Sequence, residues 1–518
     1  MRTLQKISFI RILTIFRSGL TVAAFTLVSR IFGLIRELFI ANLFGAGSTA
    51  DAVNVAFKLP NLFRRIFGEG ALSTVFIPIF NEKLIESDLS ARKFTGKIFV
   101  LLTATLIALC IVMQLFMPSL MFLIAPGFYE DKDKFDLTVL LCRITVPYLI
   151  FISISALFGG ILNSVRRFAA FAFSPVILSL VVVIGTQALQ DKYGGAVSIS
   201  ISVILAGIVQ VLFMYYCVRQ ANLTFPLIFQ YKDKDVNRFL RNMGPATLSA
   251  GAGQLGLFVS QSIASFIPGA VSILSYADRI YQFPLSIIGI TFGTILLPEL
   301  SKIYKLNDLS AANFVQNKAI KVALLLSLPA AAGIIILSHP IIHIIFERGQ
   351  FGAADTIKTA EAISAFAFGL PAFVLAKIIT PIFYANGDTK TPLKITVLTL
   401  MANIIFNIIL LKPFAHVGIA LGTSIASWFN VWLLYRYAVK AGKLQLDESL
   451  KDYTLKILLS SGLMSLIIFT AKVYGNSYFY SSSTFVKVSY LSASIAAGGG
   501  TILVVVVALG LHKILLAK

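Results

Sequence analysis

Five arginines stand in runs that are otherwise apolar, and they are the chemistry the chain offers first. The run TVAAFTLVSRIFGLIRELFIANLFGAG holds Arg30, Arg36 and Glu37. The run ADAVNVAFKLPNLFRRIFGEGALSTVFIPIF holds Lys58, Arg64, Arg65 and Glu69. A third, SYADRIYQFP, holds Asp278 and Arg279. Each arginine near the centre of a lipid-facing helix costs roughly 2.5–3.5 kcal/mol, so the five cost about 12–18 kcal/mol together. A typical net folding stability is only about 5–15 kcal/mol. The arginines must therefore face a wet cavity or pair inside a helix bundle. Two readings follow. In one, nearby acids neutralise them: Glu37, Asp51, Glu69 and Asp278. In the other, a surplus of positive charge lines a cavity and binds an anion. The guanidinium fork suits phosphate, which it holds through two charge-assisted hydrogen bonds. The second reading is favoured, because an ionisable residue within a membrane marks function by default.

Helical spacing groups these residues only in part. Ser29, Gly33 and Arg36 share one face, while Arg30 lies about 120° away from Arg36. In the second run Lys58, Arg65 and Glu69 share a face, and Arg65 with Glu69 is an i,i+4 pair that can close on itself.

The elements that must carry these charges are membrane helices. Of 518 residues, 57% are hydrophobic and 13% charged, and the mean hydropathy is +0.87. A soluble domain carries about 25% charged residues, so this composition excludes a water-soluble globule. It equally excludes a disordered chain, which is poor in apolar residues. Apolar stretches of about 20 residues, enough to span a bilayer, start near residues 18, 52, 97, 138, 170, 195, 238, 272, 317, 357, 391, 416, 453 and 485. The expected fold is an all-α membrane protein with fourteen transmembrane helices. No A-x-A-like cleavage site follows the first apolar run, which reads as a retained span.

An even number of spans puts both termini on one side. The net charge of +21, from 44 Lys+Arg against 23 Asp+Glu, chooses it. With the N-terminus cytoplasmic, most basic residues fall on inner segments, for example Arg2, Lys6, Arg11 and Arg17, Lys83, Arg92 and Lys93, and Arg219, Lys232 and Lys234. The positive-inside rule accounts for this distribution, so no nucleic-acid partner is expected. Connections are short, leaving no room for a soluble catalytic domain, and there is no GxxxxGK[ST] phosphate loop. No nucleophile stands with a base. The chain reads as a transporter, not an enzyme, with no cofactor.

A repeat is visible at an offset of about 220 residues. FKLPNLFRRIFGEGALSTVFIPIFNEKL, from Phe57, echoes YQFPLSIIGITFGTILLPELSKIY, from Tyr281, with Pro60 and Pro78 matching Pro284 and Pro298. ILNSVRRFAAFAFSP, ending at Pro175, echoes IFYANGDTKTP, ending at Pro392. Two six-helix halves are expected, as in transporters built from repeats. The expected division is an N-lobe over 1–219, a C-lobe over 220–440, and two further helices over 441–518.

Other candidates carry less. His339 and His343 have an i,i+4 spacing, but Pro340 lies between them and a third ligand is missing, so no metal site is expected. Glu347, Arg348 and Asp355 read as a loop closed by local pairing. Asp388, after Gly387, is a helix cap or part of a gate. Cys110, Cys142 and Cys217 lie in apolar runs and read as core residues.

The segment SRIFGLIRELFIANLFGAGSTADAVNVAFKLPNLFRRIFGEGALSTVFIPIF resembles the MurJ (MviN) family of lipid II flippases. YADRIYQFP, GTILLPELSK and FYANGDTKTPLK resemble its later motifs. The resemblance implies the fold of the MOP exporter superfamily: two six-helix lobes around a central cavity and two C-terminal helices that form a groove for a polyprenyl tail. It implies movement of lipid II, the undecaprenyl-diphosphate-linked peptidoglycan precursor, from the inner to the outer leaflet of the bacterial cytoplasmic membrane. By motif, Arg30, Arg36, Arg64 and Arg279 match the family's cavity arginines, and Asp51 and Glu69 match its functional acids. Lys58, Arg65, Asp278 and Asp388 remain candidates for gating or charge pairing. One departure is plain: the seventh span, about 238–266, has no acid, which puts in doubt the sodium site some members are thought to have. One chain suffices for a central cavity, so a monomer is expected, with cell-wall synthesis proteins as candidate partners. The alternatives are an exporter of another polyprenyl-linked glycan or of drugs in the same superfamily, and a membrane enzyme acting on a lipid-linked sugar.

Overall fold

The computed structural model describes residues 24–25, 27–65, 72–230, 233–481 and 483–511. The regular elements of the described residues are helices, with one isolated bridge between Arg348 and Phe351. In chain order the helices are α1 (27–44), α2 (Ser48–Phe63), α3 (Ser73–Glu86), α4 (Asp88–Leu115), α5 (Met117–Ile124), a 3-10 turn (Pro126–Glu130), α6 (Lys132–Thr145) and α7 (Tyr148–Ser164). There follow α8 (Ala169–Tyr193), α9 (Gly195–Gln220), α10 (Lys234–Ala264), α11 (Ala270–Lys305), α12 (Leu309–Phe346), α13 (Ala353–Ala385), α14 (Lys390–Lys440), α15 (Ser449–Ser481) and α16 (Thr484–Ala508). Among the described residues, nine helices are long and apolar enough to cross a membrane. The arginine-bearing α1, α2 and α11 are not among them, and α2 has only 16 residues.

Side-chain caps set many of the helix starts, as short polar side chains do by accepting from otherwise unpaired N–H groups. Ser87 accepts from the Ser90 amide, Asp131 from Lys134, Asp233 from Asp235 and Asp308 from Ala311. The two spans expected near 391 and 416 form one run, α14, broken at Ala415, whose backbone (φ 47°, ψ −128°) is not helical. The two arms then fold tightly together. Asn403 Nδ2 donates to Thr423 Oγ1 at 3.2 Å across them. A Cβ at Gly418 would stand 2.1 Å from the Leu410 carbonyl oxygen, so only glycine allows this approach.

The described helices group into two compact units, Met1–Pro268 and Gly269–Lys518. In the first, Phe76 stacks with Phe80 and Phe94 at centroid distances of 5.4 and 5.7 Å, between α3 and α4. In the second, α13 is the most buried helix, with Tyr281 of α11 stacked on its Phe366 and Phe373.

Each unit has an extended strap, after α9 in the first and after α14 in the second, built in the same way. In the first, the chain leaves α9 through Asn222 in the left-handed region (φ 57°), with Leu223 N–H donating to Val218 O. The strap lies across α4. Arg92 donates to the Asn222 carbonyl at 2.6 Å, and Lys97 pairs with Asp233. Gly96 admits it, since a Cβ there would meet Pro226 O at 1.9 Å. Phe225 packs on Phe99 and Phe158. In the second unit the chain leaves α14 through Gly442 (φ 66°), with Lys443 N–H donating to Ala438 O. This strap lies across α12. Asn317 donates to Gln445 O at 2.7 Å and accepts from the Asp447 amide at 2.9 Å. Lys321 donates to Asp447 Oδ2 and Ser449 Oγ, each at 2.6 Å. Lys97–Asp233 and Lys321–Asp447 thus occupy like places about 220 residues apart, the offset of the sequence echoes.

Asp447 is held well below the ordinary aspartate value of 3.8, first by the Lys321 ammonium and then by Ser449. A lowered carboxylate stabilises the fold above its unfolded pKa and loses that contribution as pH falls towards the folded one. Replacing Lys321 by Met should cost about 1 kcal/mol, because Asp447 is half-exposed and solvent screens the pair. Thermal unfolding at pH 7 should show the loss. The gap between the variant and the parent should narrow below about pH 4, where Asp447 begins to protonate in the unfolded chain.

Candidate functional site

The first two helices place their charges by different means. Arg36 and Glu37 on α1 are both buried, 5% and 4% exposed, and Arg36 Nη2 lies 3.0 Å from Glu37 Oε1. Adjacent residues on a helix point about 100° apart, so the long arginine must bend to reach the acid. The guanidinium carbon stands 4.2 Å from the Phe57 ring centroid on α2, a cation–π contact. Part of the first reading is therefore realised here, because Arg36 has an acid beside it. Arg30, one and a half turns earlier, is half-buried.

On α2, Asp51 sits in the first turn and is fully buried. The helix N-terminus favours a carboxylate there. Lys134 of α6 reaches it, Nζ to Oδ2 at 2.7 Å, and is itself 6% exposed. The Lys134 ammonium also lies 3.9 Å from the Phe128 ring centroid. Lys58 is half-buried further along α2. The helix ends in a wider, π-type turn at Arg64 and Arg65, a distortion frequent at functional sites. Arg64 Nε donates to Asn61 Oδ1 at 3.3 Å, and Arg65 Nη1 donates to Gln254 Oε1 of α10 at 3.5 Å. Glu69 lies outside the described residues.

In the second unit, Asp278 and Arg279 are half-buried on α11. Gln282, one turn on, donates to Asp278 Oδ2. Asp388 caps α14: its Oδ1 accepts from the Thr391 amide at 3.0 Å, and its Oδ2 lies 3.5 Å from Lys443 Nζ. The Thr391 amide first, and the Lys443 charge in addition, hold its carboxyl below the ordinary value. The cap expected at this position is what the geometry shows. His343 stands between Glu347 (Nδ1 to Oε2, 2.8 Å) and Lys487 (Nε2 to Nζ, 3.0 Å), with His339 stacked beside it. Arg348 closes the loop by donating to Ile344 O and Ile345 O, and Glu347 accepts from Thr356 at 2.6 Å. Among the described residues no group of three or more His, Cys, Asp or Glu side chains is placed to hold a metal ion.

The sequence and the fold are both matched in known proteins. The profile of the family described as lipid II flippase MurJ matches residues 40–489. The chain belongs to the MurJ lipid II flippase family. Among MurJ relatives, a probable lipid II flippase of Rickettsia prowazekii (strain Madrid E) is 60% identical over 486 residues, covering 94% of this chain and 96% of that protein. Another, from Rhizobium tropici, is 39% identical over 465 residues, covering 88% of this chain and 87% of the relative. A solved MurJ structure in an inward closed conformation superposes with a TM-score of 0.80 at 28% identity, covering 96% of this chain and 99% of that one. An inward-facing multidrug-resistance MATE transporter of the MOP superfamily superposes with a TM-score of 0.67 at 14% identity, covering 82% of this chain and 98% of that one, and so shares the fold. The expected family membership holds, and the fold is shared with a transporter of the MOP superfamily.

Two partners in this MurJ-family chain were not visible in the spacing of the motifs. Lys134 sits in the polar stretch DKDKFD and reads as an outer-loop lysine, yet it is the buried partner of Asp51, 83 residues away. Gln254 is neutral, and nothing marks it as the residue that meets Arg65, 189 residues away.

Removing one partner of a buried pair leaves the other charge unpaired, which costs about 3–5 kcal/mol. Lys134→Ala should therefore destabilise the purified protein by that amount in thermal unfolding. The double variant Asp51→Asn, Lys134→Met should recover most of the stability. A double variant no more stable than Lys134→Ala would show that the pair is not the unit we describe.

Proposed function

We propose that this chain carries lipid II across the bacterial cytoplasmic membrane by alternating access, with Arg30, Arg36, Arg64 and Arg279 holding its diphosphate. Membership of the MurJ family, together with the near full-length likeness to its flippases, supports the substrate. The observation that carries the role of the arginines is Arg36. It is buried in a protein whose described residues include nine apolar spans, and its guanidinium is already presented against Glu37 and Phe57. A diphosphate competing for that guanidinium would offer more negative charge and a bidentate geometry. Glu37, beside Arg36, lowers the cost of the empty site, and that arginine exchanges partners during the cycle.

In this proposal fourteen helices cross the membrane, with both termini cytoplasmic. Helices over 1–219 and 220–440 form two six-helix lobes, and the last two helices, over 441–518, offer a groove to the polyprenyl tail. The lobes rock about a substrate held near the membrane midplane, as in other transporters with repeated halves. The membrane potential can assist, since moving one charge across 100 mV is worth about 2.3 kcal/mol. Glu69, Lys58, Arg65 and Asp278 are assigned to the charge exchange, and Asp388 to the stability of the α13–α14 turn. A single chain works alone, and proteins of cell-wall synthesis are its proposed neighbours.

Leaflet accessibility of lipid II tests this directly, in cells depleted of the protein and complemented with variants of verified expression. Wild type should restore outer-leaflet lipid II. Arg30→Ala, Arg36→Ala, Arg64→Ala and Arg279→Ala should each lose one charged hydrogen bond worth about 1.5–3 kcal/mol, or about 10- to 100-fold in substrate affinity. Arg36→Lys keeps the charge and loses the fork, and should fall between. Full flipping by all four alanine variants would sink the proposal. Restoration of a different polyprenyl-diphosphate glycan, with lipid II unchanged, would redirect it to that substrate.

A further inference from the structure

The turn between α7 and α8 forms a basic cavity that shares no residue with the proposed substrate arginines. It has a volume of about 320 Å³ and is lined by Leu162, Arg166, Arg167, Phe168, Cys217 and Gln220, among others. Among the described residues no acid lines it. Arg166 and Arg167 are both exposed at its mouth. Neither makes a side-chain hydrogen bond or ion pair with another described residue.

The second unit supplies an internal control. Both units end a helix here in the same turn, one residue in the left-handed region followed by a backbone bond six residues wide. In the first unit Arg166 is the left-handed residue (φ 62°), and Arg167 N–H donates to Leu162 O at 2.8 Å. In the second, about 220 residues later, Gly387 is left-handed (φ 72°), and Asp388 N–H donates to Phe383 O at 2.9 Å. Gly387 suits the backbone, and Asp388 caps the next helix through Thr391. The first unit has neither advantage. An arginine takes the position that favours glycine, and a second arginine stands where the capping acid would be. Helix α8 has no side-chain cap at Phe168, and two arginines immediately precede its positive end. An anion in the cavity would stand in for the missing capping acid and offset the clustered positive charge. It would satisfy the N–H groups at the start of α8 and pair with both guanidinium groups.

We propose that the α7–α8 cavity is a binding site for a phosphate-bearing anion, occupied by the headgroup of an anionic phospholipid. The apolar wall of Leu162, Phe168 and Cys217 suits a lipid glycerol better than a freely soluble ion, and basic pockets between membrane helices on the cytoplasmic side bind such headgroups. In the proposed topology this turn is on that side. The site shares no residue with the substrate arginines, and binding is read separately from flipping.

The test uses the full chain, purified and delipidated in detergent. It is titrated with phosphatidylglycerol, phosphatidylcholine or inorganic phosphate, following Tm and lipid-bound mass peaks. Phosphatidylglycerol should raise Tm and phosphatidylcholine should not. The double variant Arg166→Gly, Arg167→Asp copies the turn of the second unit. Its lipid-free Tm should equal or exceed that of the parent, while its affinity for phosphatidylglycerol falls about tenfold or more. Should that variant not accumulate, Arg167→Gln alone should show a smaller loss of the same sign. Stabilisation by inorganic phosphate that equals that by phosphatidylglycerol, and is abolished in the variant, would keep the phosphate chemistry and overturn the lipid as its source. Phosphatidylglycerol affinity unchanged in both variants would overturn the site.

Discussion

A charge buried among apolar helices has to be compensated where it sits, because there is no water to do it. That constraint shapes the first unit. Asp51 is fully buried and is held by Lys134, which crosses from α6 to reach it. Arg36 is buried and is held by Glu37 and by the face of Phe57. The two pairs differ in what they allow. Asp51–Lys134 ties two helices together, with an aromatic ring closing one side of the ammonium, and is suited to a fixed strut. Arg36–Glu37 is a contact between sequence neighbours that gives up little helix packing when it opens. A guanidinium in that position can be offered to a diphosphate without dismantling the bundle, which is what a transport cycle requires.

The two units solve one structural problem twice. A strap closes each, leaving its helix through a left-handed residue and crossing a neighbouring helix through a lysine–aspartate pair. The details differ in chemistry: the first strap relies on Gly96 and an aromatic contact from Phe225, the second on the side-chain amides of Asn313 and Asn317. Repetition of the construction makes departures from it informative. The α7–α8 turn departs by replacing a glycine and an aspartate with two arginines, at a place where backbone and helix dipole both disfavour them. Cations kept against local preference point to a ligand that repays them.

Much of this was legible in the sequence. Among the described residues hydropathy located nine long apolar helices, because a run that crosses a bilayer needs about 20 apolar residues. The break near residue 416 was legible for the same reason, and Ala415 is where the chain turns. The arginines were conspicuous because charge is rare in such runs, and their motif carried the family. Asp388 was legible as a cap because a short acid after a glycine satisfies the next helix locally.

The long-range partners were not legible. Sequence determined which residues are charged, which stretches form helices and which turns end them, since these depend on neighbours a few positions apart. Tertiary structure alone decided that Asp51 belongs to Lys134, that Arg65 meets Gln254 and that Gly96 lies under Pro226. Those pairings depend on which helix faces pack together and in what rotation. A rotation of one residue, about 100°, would give every such charge a different partner without altering any local preference.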